Sequence, residues 1–377
     1  MTSYNLNITP LTPVHIGSGD DSVLFPYEYR LMQLKNTDGV TSTWFRQFDL
    51  PALFESEPTF KVGDLSAFVK NRPPNDPRFM IELRNYFQSL TQKSGSKCVS
   101  LELRASDTAF QYFKDKFRDS RNAIELKPFI RPPQGNAYIP GSSLKGALRG
   151  AWATSQIKDK SKIQYRKGRR GPDPDFRLDF DNETIGTYGN QKFERDPFKA
   201  LKVGDTTNPI LTWISLVYGK QYKNNEMIPL GAVQNLTEMT YGSLVDFGGD
   251  ADRKSTLNAR IIIDEIAQNN FNLSRELTLK DLLDAANTLS SEVVGQDIEF
   301  FRKGGTETVD ALKVTEFVRG EIKNSQGTPN TCVTRIGWGS GFDAMSLNTL
   351  STKPYETVTR KLADGKWPMG WVKLEWA

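Results

Sequence analysis

Residues 138–152 read YIPGSSLKGALRGAW, where hydroxyls, cations and small residues recur at helical spacing. Ser142 or Ser143 is expected to cap a helix whose apolar face carries Leu144, Leu148 and Trp152. Lys145 and Arg149 lie one turn apart and form a cationic ridge beside Gly146 and Gly150. Glycine costs a helix interior about 1 kcal/mol relative to alanine, so two glycines at this spacing imply that another backbone passes close by. Serine hydroxyls, free helix N–H groups, a lysine and an arginine together make a phosphate site. A capped helix packed on a sheet, with two solvated cations, fits the same spacing.

A second glycine-rich segment, residues 335–342, reads RIGWGSGF and contributes Arg335, Gly337, Trp338, Gly339, Ser340, Gly341 and Phe342. Its glycines miss the GxGxxG spacing, and only about 35 residues follow, too few to complete a dinucleotide-binding half. A glycine loop flanked by an arginine and two aromatics suits close approach to an RNA backbone, with an aromatic for base stacking worth roughly 1 to 3 kcal/mol. It equally suits a structural turn whose tryptophan belongs to the core.

His15 is the only histidine in the 377 residues and sits in a turn with Gly17, Ser18 and Gly19, followed by Asp20 and Asp21. One reading is an acid–base catalyst beside carboxylates. The other is a hydrogen-bonded structural or ligand-contacting residue at a strand end. A single histidine excludes His/His acid–base pairs and two-His zinc helices, and any Ser-His-Asp triad must use His15. Cys98 and Cys332 form no CxxC pair, which excludes zinc ribbons and redox dithiols and favours a reducing, cytoplasmic setting. No metal or cofactor site is expected.

These groups must be held by a mixed framework. Residues 4–8 read as a strand, and a second extended run at 23–34 follows at hairpin distance. Asp76 and Pro77 supply an N-cap and first-turn pair for a helix carrying Phe79, Leu83, Tyr86, Phe87 and Leu90. Residues 98–103 alternate as a strand, whereas 107–117, 277–301 and 309–323 carry helical spacing. Strands are expected at 210–218, 331–336 and 370–376, and the irregular mixture reads as α+β. The chain is longer than the roughly 250 to 300 residues at which single cores stop growing, so two packed units are expected. The basic stretch 158–171, with its continuation to 187, reads as a mobile boundary between 1–157 and 188–377. No stretch of about 18 apolar residues occurs and no secretory leader opens the chain, which predicts a soluble protein. With 49 Lys+Arg against 45 Asp+Glu, the net charge of +4 permits nucleic-acid binding without demanding it.

Residues 11–19 (LTPVHIGSG), 138–152, 196–206 (DPFKALKVGDT), 335–342 and 369–374 (MGWVKL), taken in this order, resemble the RAMP proteins of CRISPR-Cas systems. The resemblance implies tandem RRM-like, ferredoxin-type domains with insertions. It implies that His15, Gly17, Ser18, Gly19, Ser142, Ser143, Lys145, Arg149, Arg335 and residues 337–342 lie close to the guide RNA. The opening motif, the length and the closing GWVKL are similar to those of the subunit that caps a type III-A effector filament near the crRNA 3′ end. On that likeness the partners are crRNA, the repeating backbone subunit, the small helical subunit and, in the assembled complex, target RNA, with no turnover. The competing expectation is a RAMP endoribonuclease using His15 or a nearby Asp, or a different backbone subunit of a type III complex.

Overall fold

Alternation sets the first strand: in β1 (Thr2–Pro10), Leu6, Ile8 and Pro10 point into the core, while the residues between them are partly exposed. The computed structural model describes residues 2–19, 22–56, 62–71, 76, 78–117, 124–133, 135–157, 166–168, 171–173, 196–223, 226–243, 256–264, 276–341, 344 and 359–377. After β1 come β2 (Tyr29–Lys35), β3 (Thr41–Phe48), α1 (Leu50–Ser56), α2 (Val62–Lys70), α3 (Phe79–Ser94), β4 (Val99–Ala105), α4 (Asp107–Phe117), β5 (Leu126–Lys127) and α5 (Gly141–Gln156). The chain continues through β6 (Arg166–Gly168), β7 (Gly171–Asp173), β8 (Leu201–Val203), β9 (Thr212–Lys223), β10 (Glu226–Thr240) and β11 (Leu257–Ile263). It ends with α6 (Leu279–Lys303), α7 (Val309–Gly327), β12 (Thr331–Arg335), β13 (Thr359–Ala363), β14 (Trp367–Pro368) and β15 (Trp371–Trp376).

The fold is α+β, as expected. One sheet has the order β12-β15-β1-β11-β8 with antiparallel neighbours throughout. Helices α5, α6 and α7 cover it, so that Leu144, Leu148 and Trp152 share a core with Leu6, Ile8, Leu282, Ile298 and Trp371. Strand, helix, two strands, helix, strand, with β1 between β11 and β15, is the ferredoxin-type arrangement. The second sheet runs β14-β13-β9-β4-β3-β2, and β10 adds to β9 and carries the short parallel β5. Its core joins Tyr29, Phe45, Phe113, Leu126 and Leu216.

Several expectations change. The run containing β2 does not form a hairpin with β1: β2 pairs with β3 in the second sheet, and β1 is flanked by β11 and β15. Both sheets draw strands from either side of residues 158–187, so membership of a sheet does not follow a division into 1–157 and 188–377. Most of that basic segment lies outside the described residues; within it, β6 and β7 pair as a short antiparallel ribbon. Helix α4 spans the expected 107–117; Asp76 Oδ1 accepts the Arg78 amide, but α3 starts only at Phe79, and Pro77 lies outside the described residues. Among the described residues no helix is long and apolar enough to cross a membrane.

Candidate nucleic-acid interface

The segment after β1 is stitched between the two sheets. On one side the Leu11 amide donates to the Trp371 carbonyl at 2.9 Å, and the Trp371 amide donates to Thr12 Oγ1 at 3.0 Å. On the other side the Val14 amide donates to Thr240 Oγ1 at 3.1 Å, and the Thr240 amide returns to the Val14 carbonyl at 2.8 Å. Residues 11–16 are buried by this seam, and 17–19 emerge from it exposed. Gly17, Ser18 and Gly19 therefore form an exposed edge on a rigid base.

His15 is 2% exposed, and its Nδ1 lies 2.7 Å from the Glu238 carbonyl oxygen. A carbonyl only accepts, so Nδ1 carries the proton and Nε2 keeps its lone pair. Burial pushes the imidazole pKa down to about 4, outweighing the Glu238 hydrogen bond that raises it; the charge of Lys127 adds to the lowering. The ring packs edge-on against Phe129 and Trp338, at centroid distances of 6.0 and 5.8 Å. The Glu238 carboxylate below accepts the Phe129 amide at 2.9 Å, Arg131 Nη1 at 2.9 Å and Thr212 Oγ1 at 2.5 Å. His15 is thus clamped and neutral, a poor general acid at physiological pH.

The second glycine loop closes onto this turn. The Trp338 amide donates to the His15 carbonyl at 2.8 Å. Gly337 makes that approach feasible: its φ is +79°, and a Cβ there would stand 2.4 Å from the His15 oxygen. Lys127 Nζ lies 4.5 Å and Lys361 Nζ 3.8 Å from the centroid of the Trp338 ring. These are cation–π distances, so the indole faces cations and is not a vacant platform for base stacking. Burial lowers the Lys361 pKa, and the neighbouring Lys127 charge lowers it further. Neither lysine has a carboxylate partner among the described residues. Ser340 and Gly341 continue the loop half-buried, and Phe342 lies outside the described residues.

Arg335 is not a surface cation. It is 7% exposed; its Nη1 donates to Asp297 Oδ2 at 2.8 Å and its Nε to the Met369 carbonyl at 2.8 Å. Arg360 Nε takes the other Asp297 oxygen at 2.5 Å, which makes a buried triad behind the loop. Arg335 braces the site from within.

The helix α5 is also placed differently from expectation. Pro140, not Ser142 or Ser143, holds the N-cap position, and the Gly141 amide is taken by Asp205 Oδ1 at 2.8 Å. Close backbone approach occurs at Gly141, where a Cβ would meet the Val203 oxygen at 2.1 Å, while Gly146 faces open space. Lys145 Nζ donates to the Leu201 carbonyl at 2.7 Å, and Arg149 Nη2 bonds Asp196 Oδ2 at 3.1 Å. The expected phosphate ridge is thus directed at residues 196–201 of the same chain, and the amide at the helix start faces a carboxylate.

A hydrogen bond and a shared cavity join His15, Gly17 and Gly19 to Trp338, whereas Lys145 and Arg149 bond Leu201 and Asp196; Ser142 is exposed and Ser143 half-buried at the start of α5. Lys127, Lys361 and Glu238 were not legible from local spacing. Lys127 arrives through the parallel register of β5 on β10, opposite Thr237, and Lys361 through the pairing of β13 with β9.

Among known proteins, the RAMP superfamily profile matches residues 7–326. A curated relative, the CRISPR system Cms protein Csm5 of Streptococcus thermophilus, is 25% identical over 207 residues, or 54% of this chain and 51% of the relative. The chain thus aligns with about half the length of that relative. The crystal structure of T. onnurineus Csm5 is similar with a TM-score of 0.61 at 20% identity, over 97% of this chain and 99% of that one. A chain of the cryo-EM structure of a type III-A Csm–crRNA–target RNA ternary complex is similar with a TM-score of 0.60 at 20% identity, over 100% of both chains.

Proposed function

Because the chain belongs to the RAMP superfamily, we propose that it is a non-catalytic crRNA-binding subunit of a type III-A effector ribonucleoprotein, acting in the cytoplasm. It caps the backbone filament near the crRNA 3′ end, contacts the repeating backbone subunit and the small helical subunit, and meets target RNA in the assembled complex. The observation that carries this reading is the pair Lys127 and Lys361. Both cations lack a carboxylate among the described residues and both face Trp338, whose amide is bonded to the glycine turn of His15. Exposed glycine backbone beside unneutralised ammonium groups suits a sugar–phosphate chain, because phosphates supply the missing charge and glycines let the backbone approach. The likeness to Csm5 and to a chain of a crRNA-bearing complex supports the assignment to type III-A.

A structural role agrees with the chemistry of His15, whose one proton is committed to a backbone carbonyl. The test is reconstitution of the effector with and without this chain, reading crRNA 3′-end length, together with incubation of the pure chain with labelled repeat RNA. Complexes that lack the chain are expected to carry altered 3′ ends, and the pure chain is expected to bind RNA without cutting it. Cleavage lost in His15→Ala would replace this reading with the endoribonuclease. Absence of RNA binding in both chain and complex would end it.

A further inference from the structure

Beneath the exposed Gly17, the His15 ring borders a cavity lined also by Gly19, Val23, Lys127, Pro128 and Trp338. We propose that His15 Nε2 accepts a hydrogen bond from one nucleotide of the bound strand, donated by a ribose 2′-hydroxyl or a base N–H, and that this cavity is where the chain discriminates among nucleic acids. The inference rests on the RNA-binding reading above.

Three observations converge on it. The Nδ1 proton is committed to the Glu238 carbonyl, which leaves a lone pair on Nε2, and that atom has no hydrogen-bond partner among the described residues. With only 2% of the residue exposed, that lone pair is left to a ligand or water that reaches it through the cavity. The position above it is also kept clear: a Cβ at Gly17 would stand 3.2 Å from Nε2, and Gly17 is exposed without the positive φ that would otherwise account for a glycine.

The chemistry then selects the donor. A lone pair repels phosphate oxygens, so Nε2 does not share the role of Lys127 and Lys361; it requires a neutral O–H or N–H. Single-stranded RNA offers two kinds, the 2′-hydroxyl that separates RNA from DNA and the hydrogen-bonding edge of an unstacked base. Val23, Pro128 and Trp338 offer apolar surface beside the imidazole acceptor, the Lys127 cation and the Ser22 hydroxyl, a composition suited to holding part of a nucleotide.

The full-length chain is titrated with short labelled single strands of one sequence as RNA, 2′-deoxy, 2′-O-methyl and abasic RNA, alongside His15→Phe and Gly17→Ala. One net hydrogen bond corresponds to a preference of about three- to ten-fold. Weaker binding of the 2′-deoxy and 2′-O-methyl strands identifies the ribose hydroxyl, and weaker binding of the abasic strand alone identifies a base. In either case both variants must erase the preference, whatever they do to the overall affinity. Gly17→Ala covers Nε2 from an exposed position, so it serves if His15→Phe fails to fold. Tight RNA binding whose preferences are unchanged in Gly17→Ala overturns this inference and leaves the RNA-binding reading standing. No RNA binding by the wild-type chain overturns that reading itself.

Discussion

The Trp338 amide and the His15 carbonyl, from opposite ends of the chain, share a 2.8 Å hydrogen bond that fastens one glycine loop to the other. The link depends on Gly337, because its φ of +79° and the 2.4 Å from a built Cβ to the His15 oxygen leave no room for a side chain. Gly337→Ala is expected to cost roughly 1 to 3 kcal/mol through strain and displacement of the loop. It should also weaken RNA binding in the fraction that stays folded. Urea denaturation and binding titration of the same preparation check both effects; unchanged stability would mean that the loop adapts freely.

Free and paired cations should behave oppositely. Lys127→Ala and Lys361→Ala are each expected to lower the salt dependence of RNA binding by about 0.7 in the log–log slope, the contribution of one single-strand phosphate contact. Melting temperature should change little. Lys145→Ala with Arg149→Ala removes contacts to Leu201 and Asp196 inside the chain, so it should reduce stability and leave the RNA affinity of the folded fraction unaltered. The reverse pattern would place the phosphate contacts on α5.

Asp297 is 1% exposed and holds two guanidinium groups, those of Arg335 and Arg360. Removing its charge takes away the one carboxylate that both guanidinium groups share, and breaking a buried ion pair from one side costs roughly 3 to 5 kcal/mol. Asp297→Asn is therefore expected to be more destabilising than Arg335→Met, which leaves the Arg360 pair intact. Thermal melts rank the two, and equal losses would show that Arg360 alone contributes nothing.

Gly141 and Gly146 lie on the same helix and should respond with opposite sign. A Cβ at Gly141 collides with the Val203 carbonyl, so Gly141→Ala is expected to destabilise. Gly146 is exposed and faces open space, so Gly146→Ala is expected to stabilise by up to about 1 kcal/mol through helix propensity alone. A melt of each variant separates these outcomes.

These contrasts mark where local sequence suffices. Helix α4 was legible because Phe110, Phe113 and Phe117 repeat at helical spacing behind Asp107, a purely local signal. Strand β11 also carries a local signal, with Leu257, Ala259, Ile261 and Ile263 alternating inward. The helix start of α5 is not legible locally, because the carboxylate that takes its first amide, Asp205, comes from beyond a distant strand end, while Ser142 and Ser143 offer a local alternative. Lys127 and Lys361 belong to the site only through sheet pairing across the whole chain, which no spacing rule encodes. At Gly337, Gly339 and Gly341 the restriction is local instead, because a positive φ favours glycine at the position itself.

Stability against pH tests the burial of the site directly. His15 has a folded pKa of about 4 against an ordinary 6.5, so its contribution is fully present above 6.5 and is lost as pH falls toward 4, because the unfolded chain takes up the proton first. Asp364, held by the Ser106 hydroxyl at 2.9 Å and the Leu216 amide at 3.1 Å, is raised by burial from 3.8 to about 6. Its contribution is fully present below 3.8 and is lost as pH rises through 6, where the native state must bury the charge. Each full shift corresponds to on the order of 3 kcal/mol, less for Asp364 because that residue remains part-exposed. Between about 4 and about 6 the two slopes oppose one another, and wild-type stability should be nearly level there. His15→Phe is expected to unmask a fall in stability with rising pH across that window, and Asp364→Asn a rise. Chemical denaturation at stepped pH reads the slopes independently of each variant's overall loss. Parallel profiles for wild type and His15→Phe would mean that the imidazole titrates alike in the folded and unfolded chain, and that it is not the clamped, neutral acceptor described above.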